Sequence, residues 1–265
     1  MTLVGLGRPS TLESLNHARI WRRRVRIGQD SFRATSFDRL AYLGVRKYLF
    51  RKEAETVFFQ ECILPGMHVV DGGANLGIYS HIFGRAVGPS GRVSAFEPDI
   101  ELFAALSENL DANGLSHVQP QCMALGAERG TASLYRGSHN SGETHLTFLK
   151  PNGRSIVPTP VTTLDDFLAG APVDFIKLDI QGWELHALRG MTRTLSSNPR
   201  LQLYIELSPY CLAKAGCSPQ DLIAFLASFG FDVRFQPQRE TPSEQEFTRL
   251  RMRKFWFTEI YARRP

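Results

Sequence analysis

The chain has 265 residues, 43% of them hydrophobic and 22% charged, with a formal net charge of +5. That balance is that of a soluble globular protein with enough apolar residues for a sizeable core, and the mild basic excess permits an anionic partner without demanding nucleic acid. No apolar run approaches the roughly 18 residues of a membrane-spanning helix, which excludes a helical span.

Residues 1 to about 30 read as a polar, weakly ordered arm in which Arg19, Arg22, Arg23, Arg24 and Arg26 surround Trp21. A solvated basic face is the plain reading, and contact with an anionic surface or RNA is the functional one. Residues 38 to 61 carry Leu40, Leu43, Tyr48, Phe50, Val57 and Phe58 at mixed helical spacing, so a helix across the sheet edge or over a ligand site is expected. We therefore divide the chain into a basic, helical extension over residues 1–60, covering the site, and one catalytic domain over residues 61–265.

Pro65-Gly66 turns the chain into an apolar run, Met67-His68-Val69-Val70. Asp71-Gly72-Gly73-Ala74-Asn75-Leu76-Gly77 follows, and then a helical run from Ile78 to Val87, stopped by Gly88-Pro89. Strand, Gly-rich turn and helix make the first unit of a nucleotide-binding α/β sheet. A dinucleotide fingerprint would need glycine at position 74, where Ala stands. A second strand, Arg92 to Phe96, ends in Glu97-Pro98-Asp99. An acid there can accept both ribose hydroxyls of a nucleoside. Asp99 can cap a helix with Leu102, Phe103, Leu106 and Leu110 on its apolar face, ended by Asn113-Gly114.

The third strand lies within His117 to Leu125. Thr131 to Tyr135 and then Gly137 to Leu146 make a loop-and-strand stretch whose polar, Gly-rich character suggests a lid or an ordered loop. Ile156 to Val161, broken by Pro158 and Pro160, is an edge strand or loop. Thr163 caps a short helix over Leu164 to Leu168. The fourth strand is Val173 to Ile180. Gln181-Gly182-Trp183-Glu184 turns it into a helix ending near Ser196-Ser197. The fifth strand runs from Leu201 to Leu207, and Ser218-Pro219 opens a further helix. Phe231 to Phe235 and Phe255 to Tyr261 form two last strands, made antiparallel by the polar loop between them. Strands alternating with helices argue a doubly wound, mostly parallel sheet.

Cys62, Cys122, Cys211 and Cys217 include no C-x-x-C pair, so no zinc or redox motif is visible. Scattered cysteines and an N-terminus without an apolar signal core make the cytoplasm the expected compartment.

Asp71-x-Gly73-x-Asn75-x-Gly77 resembles the first motif of S-adenosylmethionine methyltransferases, with Asn at the middle glycine. The donor carries an ammonium and a sulfonium, so an acid beside it attracts, whereas a pyrophosphate would be repelled there. Together with Ala95-Phe96-Glu97-Pro98, Thr163-Leu164-Asp165-Asp166 and Val173 to Glu184, the chain resembles the FkbM family of methyltransferases over roughly residues 60 to 235. Asn140-Ser141-Gly142 and Leu188-Arg189-Gly190 are similar to further signatures of that family. The resemblance implies a Rossmann-like class I methyltransferase, an α/β fold whose seven-stranded sheet is mostly parallel with an antiparallel last strand and has helices on both faces. It implies S-adenosylmethionine as methyl donor, usually to an oxygen of a sugar, natural product or other small acceptor. Two positions depart from the family pattern: Gln181 replaces its usual Glu and Gly72 its usual Val.

On this reading Asp71, Gly73, Asn75 and Gly77 hold the methionine half of the donor and Glu97 the ribose, with Met123 and Ala124 beside the adenine. Asp179, at the end of the fourth strand, holds the ammonium, orients the acceptor or acts as base. His145 is the first choice of general base, since an imidazole titrates near neutrality, ahead of His139, His81 and His186. A metal between Asp179 and Glu206 is conceivable on charge grounds, but no metal site is assigned. Trp183 packs on the acceptor or in the core. The rival functions are a silent S-adenosylmethionine-binding module, an RNA methyltransferase resting on the Arg cluster, and a nicotinamide-dependent oxidoreductase. The partner expected is a small-molecule or glycan acceptor, with nucleic acid disfavoured.

Overall fold

The computed structural model describes residues 25–27, 30–33, 53–135, 145–147, 156–236, 242–250, 252–253 and 257–265. The Arg cluster up to Arg24, the helical reading of residues 38–50, and His139 with Asn140-Ser141-Gly142 lie outside them. No helix among the described residues is long and apolar enough to cross a membrane.

Strands β1 (Val25–Ile27) and β2 (Asp30–Phe32) form an antiparallel hairpin within the stretch read as a weakly ordered arm. Helix α1 (Glu53–Cys62) leads into β3 (His68–Gly72), α2 (Ile78–Val87), β4 (Arg92–Phe96), α3 (Ile100–Ala112) and β5 (Val118–Gln121). Next come β6 (Ala124–Leu125), β7 (Gly130–Tyr135), β8 (His145–Thr147) and β9 (Ile156–Thr162). Then α4 (Leu164–Leu168), β10 (Phe175–Leu178), α5 (Glu184–Arg189), α6 (Thr192–Ser197) and β11 (Gln202–Leu207) follow. The chain closes with α7 (Pro209–Lys214), α8 (Pro219–Ser228), β12 (Asp232–Gln236), α9 (Glu244–Leu250) and β13 (Thr258–Arg263).

Seven strands form the main sheet in the order β12-β13-β11-β10-β3-β4-β5. From β11 to β5 every neighbour is parallel, and β13 runs antiparallel to both β11 and β12. This is the class I methyltransferase arrangement expected from the sequence. Order reverses at β3 and β10, so their carboxyl ends form the crevice where an open α/β sheet binds its ligand.

Alternation along the strands sets the two faces. Val69, Phe175 and Tyr204 point to a layer with Phe59 of α1, Phe83 of α2 and Leu106 of α3. Their neighbours Val70, Ile176 and Ile205 point to a layer with Leu188 of α5, Leu195 of α6 and Leu222 of α8. Both faces are covered, which is why the central strands read as near-continuous apolar runs. Phe59 is fully buried and meets Tyr79, Phe83, Phe175 and Tyr204 edge-on, anchoring α1 to the sheet face. Burial of one such ring is worth about 1.5–3 kcal/mol.

The end signals are where the sequence placed them. Asp99 caps α3, Thr163 caps α4, and Ser218 forms a capping box with Asp221 on α8. Other features differ from the sequence reading. The third strand ends at Gln121, and Ala124–Leu125 joins a separate four-stranded sheet, β6-β9-β7-β8. Ile156–Thr162 is an inner strand of that sheet, although prolines usually mark an edge, because β6 pairs with it only at Val161 and Thr162, past both prolines, which have a neighbour on the β7 side alone. The helix after β10 breaks at Gly190, where a side chain would strike the Gly126 carbonyl at 2.0 Å. Finally, α7 and α9 occupy stretches read as strand exit and polar loop. Both carry local caps, Ser208 before Pro209 and Ser243 paired with Glu246.

Candidate active site at the carboxyl edge of the sheet

The glycine turn leaves β3 as the sequence predicted. Gly73 has φ 82°, and a Cβ there would lie 1.9 Å from the Asp179 carbonyl oxygen. Only glycine lets the two strand exits, β3 and β10, come this close. Asn75 is also left-handed, φ 52°, a conformation Asn tolerates better than most residues. That is the physical use of Asn at this position.

Every N–H from Gly73 to Gly77 is already spent. Gly73 and Ala74 donate to the Phe96 carbonyl at 3.0 and 2.9 Å, and Gly77 donates to Ala74. Asn75 donates to Glu97 Oε2 at 2.8 Å, and Leu76 donates to the Asn75 side chain at 2.8 Å. The turn is therefore a wall held to β4 and offers no cradle for a pyrophosphate. Helix α2 begins at Gly77 without a side-chain cap.

Glu97 is buried and accepts N–H groups from Asn75 and Asp99, the latter at 2.9 Å. A carboxylate has about four lone-pair positions, so two remain for further donors such as a ribose diol. Burial pushes its carboxyl up to about 8, against the pull of those two N–H groups.

Asp71, expected beside the methionine half, lies at the end of β3 with its side chain inside the sheet layer. It is fully buried, with Ser80 donating to Oδ2 at 2.6 Å and Lys177 Nζ 3.6 Å from Oδ1. Asp71 and Lys177 are register partners on β3 and β10, so the sheet itself sets this pair. Burial pushes the Asp71 carboxyl up, while Lys177 and Ser80 pull it back. Burial alone would lower the Lys177 ammonium, but Asp179, Asp71 and Glu206 outweigh it and raise it. Lys177 also lies 4.6 Å over the Tyr79 ring.

Asp179 is the accessible acid of the group, its side chain 29% exposed, with Lys177 Nζ at 3.4 Å. Gln181 donates one amide nitrogen to both neighbouring carboxylates, Asp179 Oδ1 at 3.1 Å and Glu206 Oε2 at 2.9 Å. It does so from a left-handed backbone, φ 54°, which costs a non-glycine residue about 1–2 kcal/mol. The amide stands between the two acids and donates to both. No group of three or more metal-ligating side chains gathers among the described residues. Burial, then Asp179 and Glu184, push the Glu206 carboxyl well above its ordinary value. Behind this row, buried Glu184 accepts from Ile180 and Gly182 at 3.1 and 3.0 Å, while its Oε2 has no partner among the described residues. Burial pushes Glu184 up to about 7.

The remaining sequence candidates lie further out. Met123 is half-buried against the main core, and Ala124 packs with Leu134, Leu146 and Trp183 under the smaller sheet. Trp183 is thus a core residue, stacked on His186 at 4.3 Å. His145 opens β8 opposite Tyr135, in a strand where the sequence suggested a loop. His81 is buried on α2, 3.1 Å from Asp30, and His186 meets the Ala215 carbonyl. Lys177 and Glu184 join the site without being marked as candidates by the sequence motifs, whereas Gln181 is one of the two departures from the family pattern. The signal that could find Lys177 is its place between Ile176 and Leu178 on a buried strand, since a buried lysine requires acids around it.

The methyltransferase FkbM domain matches residues 71–233 of this chain. Methyltransferase sdnD of Sordaria araneosa is 26% identical over 233 residues, covering 74% of this chain and 87% of the relative. Methyltransferase 1 of Beauveria bassiana is 26% identical over 144 residues, 46% of this chain, and the match spans only 57% of that relative. Among solved structures, precorrin-6y C5,15-methyltransferase from Geobacter metallireducens aligns with a TM-score of 0.46 and 12% identity, covering 81% of this chain and 90% of its own. A SAM-dependent O-methyltransferase from Thermotoga maritima aligns with a TM-score of 0.43 and 16% identity, covering 80% and 65%. At these scores the solved structures add nothing to the topology already described.

Proposed function

Since this chain belongs to the methyltransferase FkbM domain family, we propose that it is an S-adenosylmethionine-dependent O-methyltransferase acting on a hydroxyl of a small molecule, sugar or natural product. The observation that carries this reading is the acidic carboxyl edge. Asp179 presents a part-exposed carboxylate and buried Glu97 two unused lone pairs beside a turn whose N–H groups are all occupied, which suits a nucleoside with a cationic tail better than a pyrophosphate.

S-adenosylmethionine supplies an already activated methyl group on sulfur. What the protein must contribute is alignment and a proton acceptor. Glu97 takes the ribose hydroxyls with its unused lone pairs. Gly73, Asn75 and Gly77 form the wall against which the methionine half lies, and the uncapped start of α2 receives its carboxylate. Met123 and Ala124 border the adenine. Asp71 acts from inside the sheet: it fixes Lys177, which in turn fixes Asp179. Asp179 holds the ammonium or orients the acceptor hydroxyl. Asp179 and His145 are the two candidates for the proton acceptor. The extension over residues 1–60 contributes to the cover of the site.

Calorimetry with S-adenosylhomocysteine, the demethylated donor, and with NADH tests the donor. Binding of the first and not the second is expected, with Glu97→Gln weakening it at least about tenfold. NADH binding without S-adenosylhomocysteine binding would overturn the reading. Labelled-methyl transfer to a panel of hydroxylated acceptors tests the chemistry, with Asp179→Asn and His145→Gln separating the two proton acceptors. Label recovered on nitrogen would reject O-methylation.

A further inference from the structure

Two asparagines, Asn109 on α3 and Asn113 at its C-cap, are used in a way the methyl-transfer reading does not require. Leu106, Asn109 and Asn113 share one face of that helix, at helical spacing. Leu106 Cδ1 lies where a Cβ on Gly77 would fall, at 2.6 Å, so this face rests against the end of the glycine turn. One turn further on, Asn109 is buried and its amide nitrogen donates to the Leu76 carbonyl at 2.9 Å, inside the turn.

The same Asn109 amide also grips the N-terminal strand. It donates to the Arg33 carbonyl at 3.0 Å and accepts from the Arg33 N–H at 2.6 Å. Asn113 repeats the pattern at Ser31, accepting from its N–H at 2.8 Å and donating to its carbonyl at 3.0 Å. The match is geometric. Residues i and i+4 of a helix are separated by about 6 Å along its axis. Residues i and i+2 of a strand are separated by about 6.7 Å and point to the same side. The two side-chain amides thus act as a substitute strand edge for β2. Phe32 is buried edge-on to His81 at 5.0 Å, and Arg85 binds Asp30 at 2.8 Å, so the strand is held from α2 as well. Arg33 also pairs with Glu108.

We propose that Asn109 is a positioning residue that couples the donor-binding turn to the N-terminal strand, so that donor binding and docking of Asp30–Phe32 stabilise each other. The link is short. Asn109 fixes the Leu76 carbonyl, and the adjoining Asn75 N–H fixes Glu97. A ligand that immobilises Glu97 and the turn presents Asn109 with a fixed partner. A docked strand holds Asn109 in the rotamer that reaches the turn. Linkage makes the effect reciprocal: whatever docking adds to donor affinity, the donor adds to docking.

This inference rests on the donor assignment above, and its test separates the two. Calorimetry with S-adenosylhomocysteine on the wild-type chain comes first, and absence of binding would overturn the donor reading and the coupling with it. With binding established, amide hydrogen exchange at Ser31 and Arg33 is followed with and without saturating S-adenosylhomocysteine. Slowed exchange in the presence of ligand is expected, and unchanged exchange refutes the coupling while leaving the donor reading intact. Asn113→Ala supplies the second arm, because Asn113 grips the strand and does not touch the turn. It should speed exchange at Ser31 and weaken S-adenosylhomocysteine about five- to tenfold. Faster exchange with unaltered affinity would show a merely structural clasp and overturn the proposal.

Discussion

Gln181 holds two carboxylates apart with one amide, and the consequence is a charge balance that a single atom controls. Asp179 and Glu206 both accept from it, and the Lys177 ammonium acts on both. Gln181→Glu, which restores the residue usual in the family, would replace two donated bonds by a third negative charge. A loss of about 1–3 kcal/mol is expected by chemical denaturation at neutral pH, largely recovered in acid where the carboxyls take up protons. Equal losses at both pH values would show that the cost is steric. Glu97 and Glu184 give a second prediction. Their carboxyls are raised to about 8 and about 7, so the folded state favours their protonated forms. The stability they lend is complete below the unfolded value, about 4.3, and is lost as pH rises through about 7 to 8. The ligand-free protein should melt at progressively lower temperature from about pH 5 to about pH 9, with a shallower slope in Glu97→Gln. A parallel slope in the variant would remove Glu97 from the account.

Among the elements, β3 shows how neighbours decide what a position tolerates. Gly72 sits in a fully buried strand where Val has the better propensity. Yet a Cβ there would lie 2.8 Å from Leu178 Cδ2 and 3.3 Å from Leu125 Cδ1. These two leucines fill the space that the family's usual Val would take. Gly72→Val should therefore destabilise by about 1–3 kcal/mol through overpacking, despite the gain in strand propensity. Denaturant titration checks the sign, and a stabilised variant would show that propensity outweighs packing. Helix ends behaved more simply. The caps at Asp99, Thr163 and Ser218 were legible because a cap is made by residues two or three apart. Ser208-Pro209 and Ser243-x-x-Glu246 carried the same signal, and α7 and α9 were missed by reading their surroundings as exit and loop.

For the molecule as a whole, the smaller sheet leans on the main one through Trp183, packed with Ala124, Leu134 and Leu146. Trp183→Ala should cost about 3–5 kcal/mol and speed amide exchange in β6, β7 and β9 more than in β3 and β10. Uniform acceleration across both sheets would indicate a single cooperative unit. The sequence by itself determined the alternation that buries both faces of the sheet, the strand-turn-helix at Asp71 to Gly77, and the acid that closes β4. Each is written in residues a few positions apart, where backbone conformation and period are set by local sterics. Only the tertiary structure decided which polar groups meet. It turned Asp71 inward to Lys177, set Gln181 between Asp179 and Glu206, and brought Asn109 and Asn113 to a strand 76 and 82 residues away. Those partners are fixed by the register and packing of the assembled sheet and helices, and no local pattern in the chain encodes that register.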